Sequence, residues 1–255
     1  METLRATKDA EEDTETEDNR FENAHGTVMI LAWMVFASTA ILFARYGRTI
    51  RFGSKDKLLG ESNWFQIHRL LACLTTVVTL LGFFLILVQA QGGWVGNNEG
   101  LVFAHSVPGG IIVCCALVQA WMALFRCHPN GTFRYIFNWL HRLTGVLAFF
   151  LSIPTIFLIA AQMDESRTGM IIILSIWSGW VVLIVIVLEI IQFVRRKSSS
   201  TTINTRSSTE QSGFDIKKIN DSIIARWNNG ILILFLLHII VSVALAIPFI
   251  VLIWN

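Results

Sequence analysis

The sequence has few charged residues for its length. Only 15% of its 255 residues are Asp, Glu, Lys or Arg, whereas 54% are hydrophobic. A soluble domain carries roughly 25% charged residues, so this chain could not cover its surface in water. An ordinary soluble enzyme, a nucleic-acid-binding protein and a disordered chain are therefore excluded as descriptions of the whole protein.

The sequence also lacks the cysteine spacings of a disulfide framework or of a CxxC motif. Its four cysteines are Cys73, Cys114, Cys115 and Cys127. Three of them lie within apolar runs, where a thiol behaves as a small hydrophobic side chain. The cysteines therefore indicate no redox or metal chemistry of their own.

Six stretches contain no Lys, Arg, Asp or Glu and are long enough to cross a bilayer, which takes about 20 mostly apolar residues. They are residues 27–44, 70–90, 101–125, 143–161, 169–188 and 230–254. Backbone groups must be hydrogen-bonded within lipid, so each stretch is predicted to be a helix. The predicted fold class is an all-α membrane protein, a bundle of six transmembrane helices with a four-helix core.

The parts outside the apolar stretches define the domain organisation. Residues 1–24 are acidic and are predicted to form a disordered extracytoplasmic tail. Residues 25–195 form the membrane core with helices one to five. Residues 196–228 are Ser/Thr-rich in their first half and read as a flexible cytoplasmic linker. Residues 229–255 form the sixth helix.

The basic residues predict the orientation. They alternate between loops, and 16 of the 20 Lys and Arg residues fall on one side. Cytoplasmic loops are enriched in Lys and Arg, so this side is expected to be the cytoplasm and both termini to be extracytoplasmic. The protein is then a multi-pass integral protein of the plasma membrane or of an endomembrane vesicle.

Four histidines lie one per helix near the starts of the first four spans. His25 and His105 are expected at the outer end, and His68 and His141 at the inner end. Their contexts repeat, because Asn63-Trp64 before His68 resembles Asn138-Trp139 before His141. The first two spans thus look like a duplicate of the next two, an arrangement that places sites symmetrically.

Two histidines at each depth in the membrane favour a haem over a zinc ion. A zinc ion requires four protein or water ligands, and each layer offers only two histidines. A haem supplies four nitrogens itself and needs two axial ligands, so the pattern predicts two bis-histidine haems and electron transfer rather than oxygen chemistry. Arg69 and Arg142 could neutralise haem propionates on the inner side, or they are ordinary positive-inside residues.

Two further polar residues within the spans have simpler interpretations. His238 lies midway along the sixth span and has no histidine at its own depth. We interpret it as a hydrogen-bonding residue in helix packing. Glu189 lies near the inner end of the fifth span, where it could extend to the interface or pair with Arg195.

The sequence around these histidines resembles the cytochrome b-561 domain, most of all the version in animal ferric-chelate reductases. The resemblance covers about residues 22–195 and rests on His25–Trp33, Ala44–Tyr46, Trp64–Arg69, Ala104–His105 and Asn138–Arg142. It implies two haem b groups per chain, held by the histidines of the four core helices. It also implies electron transfer from cytosolic ascorbate to an outside acceptor, typically ferric iron.

The predicted function is therefore that of an oxidoreductase, a transmembrane ferric-chelate or ascorbate-dependent reductase. Its expected partners are ascorbate, ferric iron or another extracytoplasmic acceptor, membrane lipid and, as an option, a second copy in a homodimer. Arg45, Arg48 and Lys57 are the nearest inner-face candidates to bind the donor, or they are ordinary positive-inside residues that set the topology. The alternatives are a six-helix transporter or scaffold whose histidines bind an ion or merely pack, and a quinone-linked respiratory cytochrome subunit.

Overall fold

A computed structural model of the chain describes residues 20–49, 62–125, 131–206 and 213–255, without the side chains of residues 49 and 198–225. The described residues form six helices and no strand. Each helix contains a segment long and apolar enough to cross a membrane, so the predicted all-α, six-helix membrane fold is confirmed. The helices are α1 (Arg20–Tyr46), α2 (Asn63–Gln89), α3 (Gly100–Leu124), α4 (Arg134–Ala160), α5 (Arg167–Arg206) and α6 (Gly213–Trp254).

Helix α1 lies at the centre of the bundle. In its most apolar segment 61% of the residues are buried, against 17% to 33% in the other five helices. It contacts α2, α4, α5 and α6, which is the environment expected of a helix that is hydrophobic on every side. Its middle, Leu31–Ala37, is π-helical, a form that occurs mostly in short stretches inside longer helices.

The first four helices form two antiparallel hairpins, α1–α2 and α3–α4. The helices within each hairpin are in extensive contact, whereas the contact between the hairpins is much smaller. Gly82 shows how closely α1 and α2 approach, because a Cβ atom there would lie 2.8 Å from a methyl group of Val28 and 2.9 Å from the end of Met29. Helices α5 and α6 form a third pair, packed on α1.

The helices extend beyond the apolar stretches that the sequence marks. Helix α1 begins at Arg20, within the expected tail, and α5 continues to Arg206. The backbone is helical again from Gly213, so most of the expected linker, 196–228, is helical in the described parts. Once a helix is nucleated in lipid, each further residue adds a hydrogen bond at little cost, so hydropathy alone does not mark the helix ends.

Polar residues buried behind α1 pair with one another. His238 on α6 is fully buried, and its Nε2 lies 3.0 Å from Oγ of Ser38 on α1. One turn further along α6, Ser242 accepts a hydrogen bond from Nε1 of Trp177 at 3.3 Å. His238 therefore joins α6 to α1 as a packing residue, as its isolated position in the sequence indicated.

Candidate functional site: two histidine pairs between the hairpins

The structure brings the four core histidines together as two pairs. The ring centres of His25 and His105 are 6.2 Å apart with the rings at 79°, and those of His68 and His141 are 6.3 Å apart at 90°. Each pair joins one helix of the first hairpin to one helix of the second. These are the pairs that depth in the membrane indicated.

A backbone carbonyl of the partner helix in the same hairpin fixes the orientation of three of the rings. His25 donates from Nδ1 to the carbonyl oxygen of Gly82 at 2.8 Å, and His68 donates to that of Ala40 at 2.9 Å. In the second hairpin, His105 donates to the carbonyl oxygen of Thr155 at 2.9 Å. A helix carbonyl has a second lone pair, so it can accept these bonds in addition to its own helical hydrogen bond.

These hydrogen bonds determine the tautomer of the rings. A carbonyl can only accept, so Nδ1 carries the proton and Nε2 keeps its lone pair. A ring held in this way by a second-layer acceptor is typical of a metal-ligating histidine. The acceptors also follow the repeat, because Gly82 and Thr155 each stand 14 residues after the histidine of their own helix, His68 and His141.

The spacing within each pair fits a single iron atom between the two rings. A bond from a metal to an imidazole nitrogen is about 2.0–2.1 Å long, so two rings whose centres are about 6 Å apart could both bind one metal ion between them. The observed separations are 6.2 and 6.3 Å. Among the described residues, no three His, Cys, Asp or Glu side chains converge as a metal cluster. Each pair therefore suits a group that brings its own remaining ligands, as haem does.

The surroundings of the pairs are apolar. A cavity of about 580 Å³ lies along α3 between the two hairpins. It extends from Gly110, near His105, to Thr144, one turn after His141, and Phe83 of α2 and Trp94 also line it. None of the four paired histidines lines this cavity, so it is an apolar groove along α3 and not the space between the paired rings.

Side chains of α3 and α4 support His141. Gln119 donates from Nε2 to the backbone carbonyl of His141 at 2.6 Å and to the hydroxyl of Thr144 at 2.5 Å. The His141 ring stacks on Phe137, one turn earlier, with ring centres 6.0 Å apart and only 6° between the planes. The stacking contact limits the rotation of the ring, and the hydrogen bonds of Gln119 join the backbone of this turn to α3.

The two ends of the bundle carry opposite charges. Of the five carboxylates whose side chains are described, Glu22, Glu99, Asp164 and Glu165 lie at the end of the His25–His105 pair, which we call the acidic end. Nine of the eleven described basic side chains lie at the end of the His68–His141 pair, which we call the basic end. These nine are Arg45, Arg48, Arg69, Arg134, Arg142, Arg195, Arg196, Lys197 and Arg226.

Glu189 is the exception at the basic end. Its Oε1 accepts hydrogen bonds from Arg45 Nε at 2.6 Å and from the Tyr46 hydroxyl at 2.7 Å, and Arg45 Nη2 lies 2.5 Å away. The carboxylate therefore joins α5 to the end of α1, whereas proximity in the sequence had suggested Arg195 as its partner. Backbone geometry explains the difference, because residues on neighbouring helices can lie closer than residues two turns apart on one helix.

The remaining candidates lie near the His68–His141 pair. Arg69 and Arg142 are exposed, and each follows its histidine by one residue, about 100° around the helix. The guanidinium of Arg48 lies 5.1 Å from the ring centre of Trp64. Lys57 lies outside the described residues.

Comparison with known proteins places the chain in a family. The family model described as eukaryotic cytochrome b561 matches residues 24–165, which contain all four paired histidines. The chain belongs to the eukaryotic cytochrome b561 family. Members of this family bind haem b, so the resemblance noted in the sequence is confirmed at the level of the family. No solved structure matches the chain.

Several curated proteins are similar to this cytochrome b561 chain. A Drosophila melanogaster protein named putative ferric-chelate reductase 1 homolog is 33% identical over 193 residues, which is 74% of this chain and 27% of that protein. Human ferric-chelate reductase 1 is 36% identical over 134 residues, 52% of this chain and 22% of that protein. A cytochrome b561, DM13 and DOMON domain-containing protein of Arabidopsis thaliana is 24% identical over 182 residues, 68% and 19%. The chain thus spans about a quarter of the first two relatives.

Several residues of the site have no distinctive pattern in the sequence. The carbonyl acceptors Gly82, Ala40 and Thr155 act through the backbone, and only the 14-residue offset in the internal repeat could have indicated two of them. Gln119 is a single amide within an apolar run. Such a residue is a candidate for interhelical hydrogen bonding in a membrane, but its partner depends on how the helices pack.

Proposed function

We propose that this chain is a transmembrane electron carrier with two haem b groups, which accepts electrons from cytosolic ascorbate and reduces ferric iron outside the membrane. The observation that carries the proposal is the pair of imidazole–imidazole separations, 6.2 and 6.3 Å, at two depths. His25 and His105 would hold one haem, and His68 and His141 the other. Arg69 and Arg142 are the candidates to pair with propionates at the basic end.

A haem with two histidine ligands supplies one-electron chemistry and has no open position for oxygen. The residues of the chain do the rest. Carbonyls of Gly82, Ala40 and Thr155 hold three rings in the metal-binding tautomer. The apolar side chains between the hairpins exclude water from the ligands. A histidine ring whose orientation is fixed in this way is better suited to hold a resident cofactor than to bind a transported ion, because a transported ion must be released.

The charge of the two ends supplies a direction. The cluster of basic side chains attracts an anionic donor such as ascorbate to the basic end by electrostatic steering. The three carboxylates of the acidic end other than Asp164, which pairs with Arg167, would instead concentrate a cation such as ferric iron. If cytoplasmic loops are the basic ones, the His68–His141 pair faces the cytosol, and both termini lie outside. The plasma membrane or a vesicle membrane is the proposed location.

Haem quantitation tests the cofactor part of this proposal. We expect two haem b per chain in the purified protein by the pyridine haemochrome assay, with a low-spin bis-histidine spectrum. A protein without haem would overturn the electron-carrier function, and one haem per chain would overturn the two-layer arrangement.

Sealed vesicles test the direction. With ascorbate at the basic end only, an impermeant ferric chelate on the opposite side should be reduced. The control is the same vesicle preparation with ascorbate only on the acidic side. Equal reduction in both arrangements would contradict the direction and leave the haem assignment intact.

A further inference from the structure

Two arginines at the basic end, Arg45 and Arg48, have different electrostatic environments. Arg45 and Arg48 are three residues apart at the end of α1, and both are exposed. If only the number of positive charges mattered, both arginines would attract an anionic donor equally. Their contacts with neighbouring side chains show that they do not have equal charge environments.

Arg45 has a carboxylate partner. Two of its guanidinium nitrogens lie 2.6 and 2.5 Å from one oxygen of Glu189, and the buried Tyr46 hydroxyl donates to the same oxygen at 2.7 Å. Glu189 is the only carboxylate at the basic end whose side chain the structure describes. Three donors on one oxygen make a charge-assisted contact with fixed geometry, so the positive charge of Arg45 is largely cancelled at a distance.

Arg48 stands in a different setting. Its guanidinium lies over the Trp64 ring at 5.1 Å from the ring centre. Trp64 lies in the first turn of α2, one turn before His68, and its Cβ lies close to Gly47, since a Cβ atom built at that glycine would be 3.3 Å from it. A cation on an aromatic face keeps its full charge.

We propose that Glu189 sets the charge of the donor side by cancelling Arg45, so that Arg48 supplies the local positive charge that an anionic reductant meets beside His68. Glu189, which lies on α5 outside the four-helix core, would thus hold Arg45 in place and influence how fast anionic reductants react. The inference rests on the proposed function, in that it requires reduction at the basic end.

The test uses full-length protein in nanodiscs and stopped-flow reduction of the bound haem at low ionic strength. Dithionite is the anionic reductant, and tetramethylhydroquinone is the neutral one. Glu189→Gln keeps an oxygen acceptor for Arg45 and Tyr46 but removes one negative charge. We expect dithionite to react about two- to fourfold faster, because one unit of charge changes at close range to an incoming anion. The effect should disappear at physiological salt, where the screening length is about 8 Å, and should be absent with the neutral reductant.

Asp164→Asn is the matched control. Asp164 forms the corresponding pair with Arg167 at the acidic end, with nitrogen and oxygen also 2.5 Å apart. The substitution removes the same charge far from the His68–His141 pair, so the rate should not change. An equal acceleration in Asp164→Asn would overturn the proposal, as would an unchanged rate in Glu189→Gln.

A second variant covers misfolding of the first and separates the charge of Arg45 from that of Glu189. Arg45→Gln should slow dithionite by a similar factor, and the double variant Arg45→Gln/Glu189→Gln should return to the wild-type rate, because the pair has no net charge. A double variant as slow as Arg45→Gln would show that Arg45 itself receives the donor, which overturns the proposal. Wild-type protein reduced by dithionite but not by ascorbate would contradict only the ascorbate part of the proposed function.

Discussion

The two histidine pairs have almost the same geometry and nearly opposite surroundings. The ring centres are 6.2 Å apart in the His25–His105 pair and 6.3 Å apart in the His68–His141 pair, and both pairs bridge the two hairpins. Yet four of the five described carboxylates lie at one end, and nine of the eleven described basic side chains lie at the other. The geometry of the two sites is therefore alike, whereas the charge around them differs.

The likeness comes from the internal repeat, because the same helix–loop–helix unit places its histidines at corresponding positions. The difference comes from the segments outside the membrane, which are free to vary in charge without disturbing helix packing. Coordination depends on contacts of a few ångströms, whereas charge acts over about a Debye length. A symmetric pair of sites can thus be given a direction by its loops alone.

The largest expected effect comes from removing one ligand at a time. His105→Ala should remove the haem of the His25–His105 pair and leave the other with its spectrum intact, and His68→Ala should do the reverse. The pyridine haemochrome assay should give half the wild-type haem in each variant. Loss of all haem from either variant would show that the two layers do not form independently.

A glycine substitution should disturb one pair without touching a ligand. Gly82→Ala places a methyl group 2.8 Å from Val28 and 2.9 Å from Met29, and overpacking of this kind typically costs about 1–3 kcal/mol. Because the Gly82 carbonyl orients His25, we expect weakened haem binding at the His25–His105 pair only. Thermal release of haem, followed by absorbance, measures it.

Gly179→Ala is the control for the Gly82 variant. A Cβ atom at Gly179 meets nothing within 4 Å, so haem release should match that of the wild type. Equal weakening in both variants would indicate a general effect of replacing a helix glycine.

A smaller effect is expected at the His68–His141 pair when the side-chain amide of Gln119 is removed. Gln119→Leu deletes the hydrogen bonds to the His141 carbonyl and to Thr144, worth about 1 kcal/mol each in net terms. We expect the midpoint potential of one haem to shift by about 40 mV for each kcal/mol by which the loss favours one oxidation state over the other, with the other haem unchanged. Spectroelectrochemical titration resolves the two. A matched Ser175→Ala, which removes a hydroxyl bonded only within α5, should shift neither.

The smallest effect is expected at His238, which lies behind α1 and belongs to neither histidine pair. His238 makes one hydrogen bond, to Ser38, and its Nδ1 meets no partner within the part of the chain that the structure describes. His238→Leu removes both the bond and this buried unpaired nitrogen, so stability should change by less than about 1 kcal/mol. Thermal unfolding and haem content check this, and a loss of haem would show that His238 belongs to the site after all.

Much of the site could be predicted because two signals in the sequence were strong. The absence of charge over six long stretches leaves no alternative to helices in lipid, and the four histidines recur in similar contexts. The partners of Glu189 and His141 could not be predicted, because Arg45 and Gln119 lie on other helices. Which residues meet across two helices depends on their rotation and on the depth at which they cross.

The sequence by itself determined the number of membrane helices, the layer of each core histidine and the side on which basic charge collects. These properties depend on composition along the chain, and lipid enforces them for each segment separately. Only the tertiary structure decided that Nδ1 of His25, His68 and His105 binds a backbone carbonyl, that the paired rings stand 6.2 and 6.3 Å apart, and that Glu189 holds Arg45. Such contacts require sub-ångström placement of separate helices, and that placement follows from close packing at positions such as Gly82, where a single methyl group would not fit.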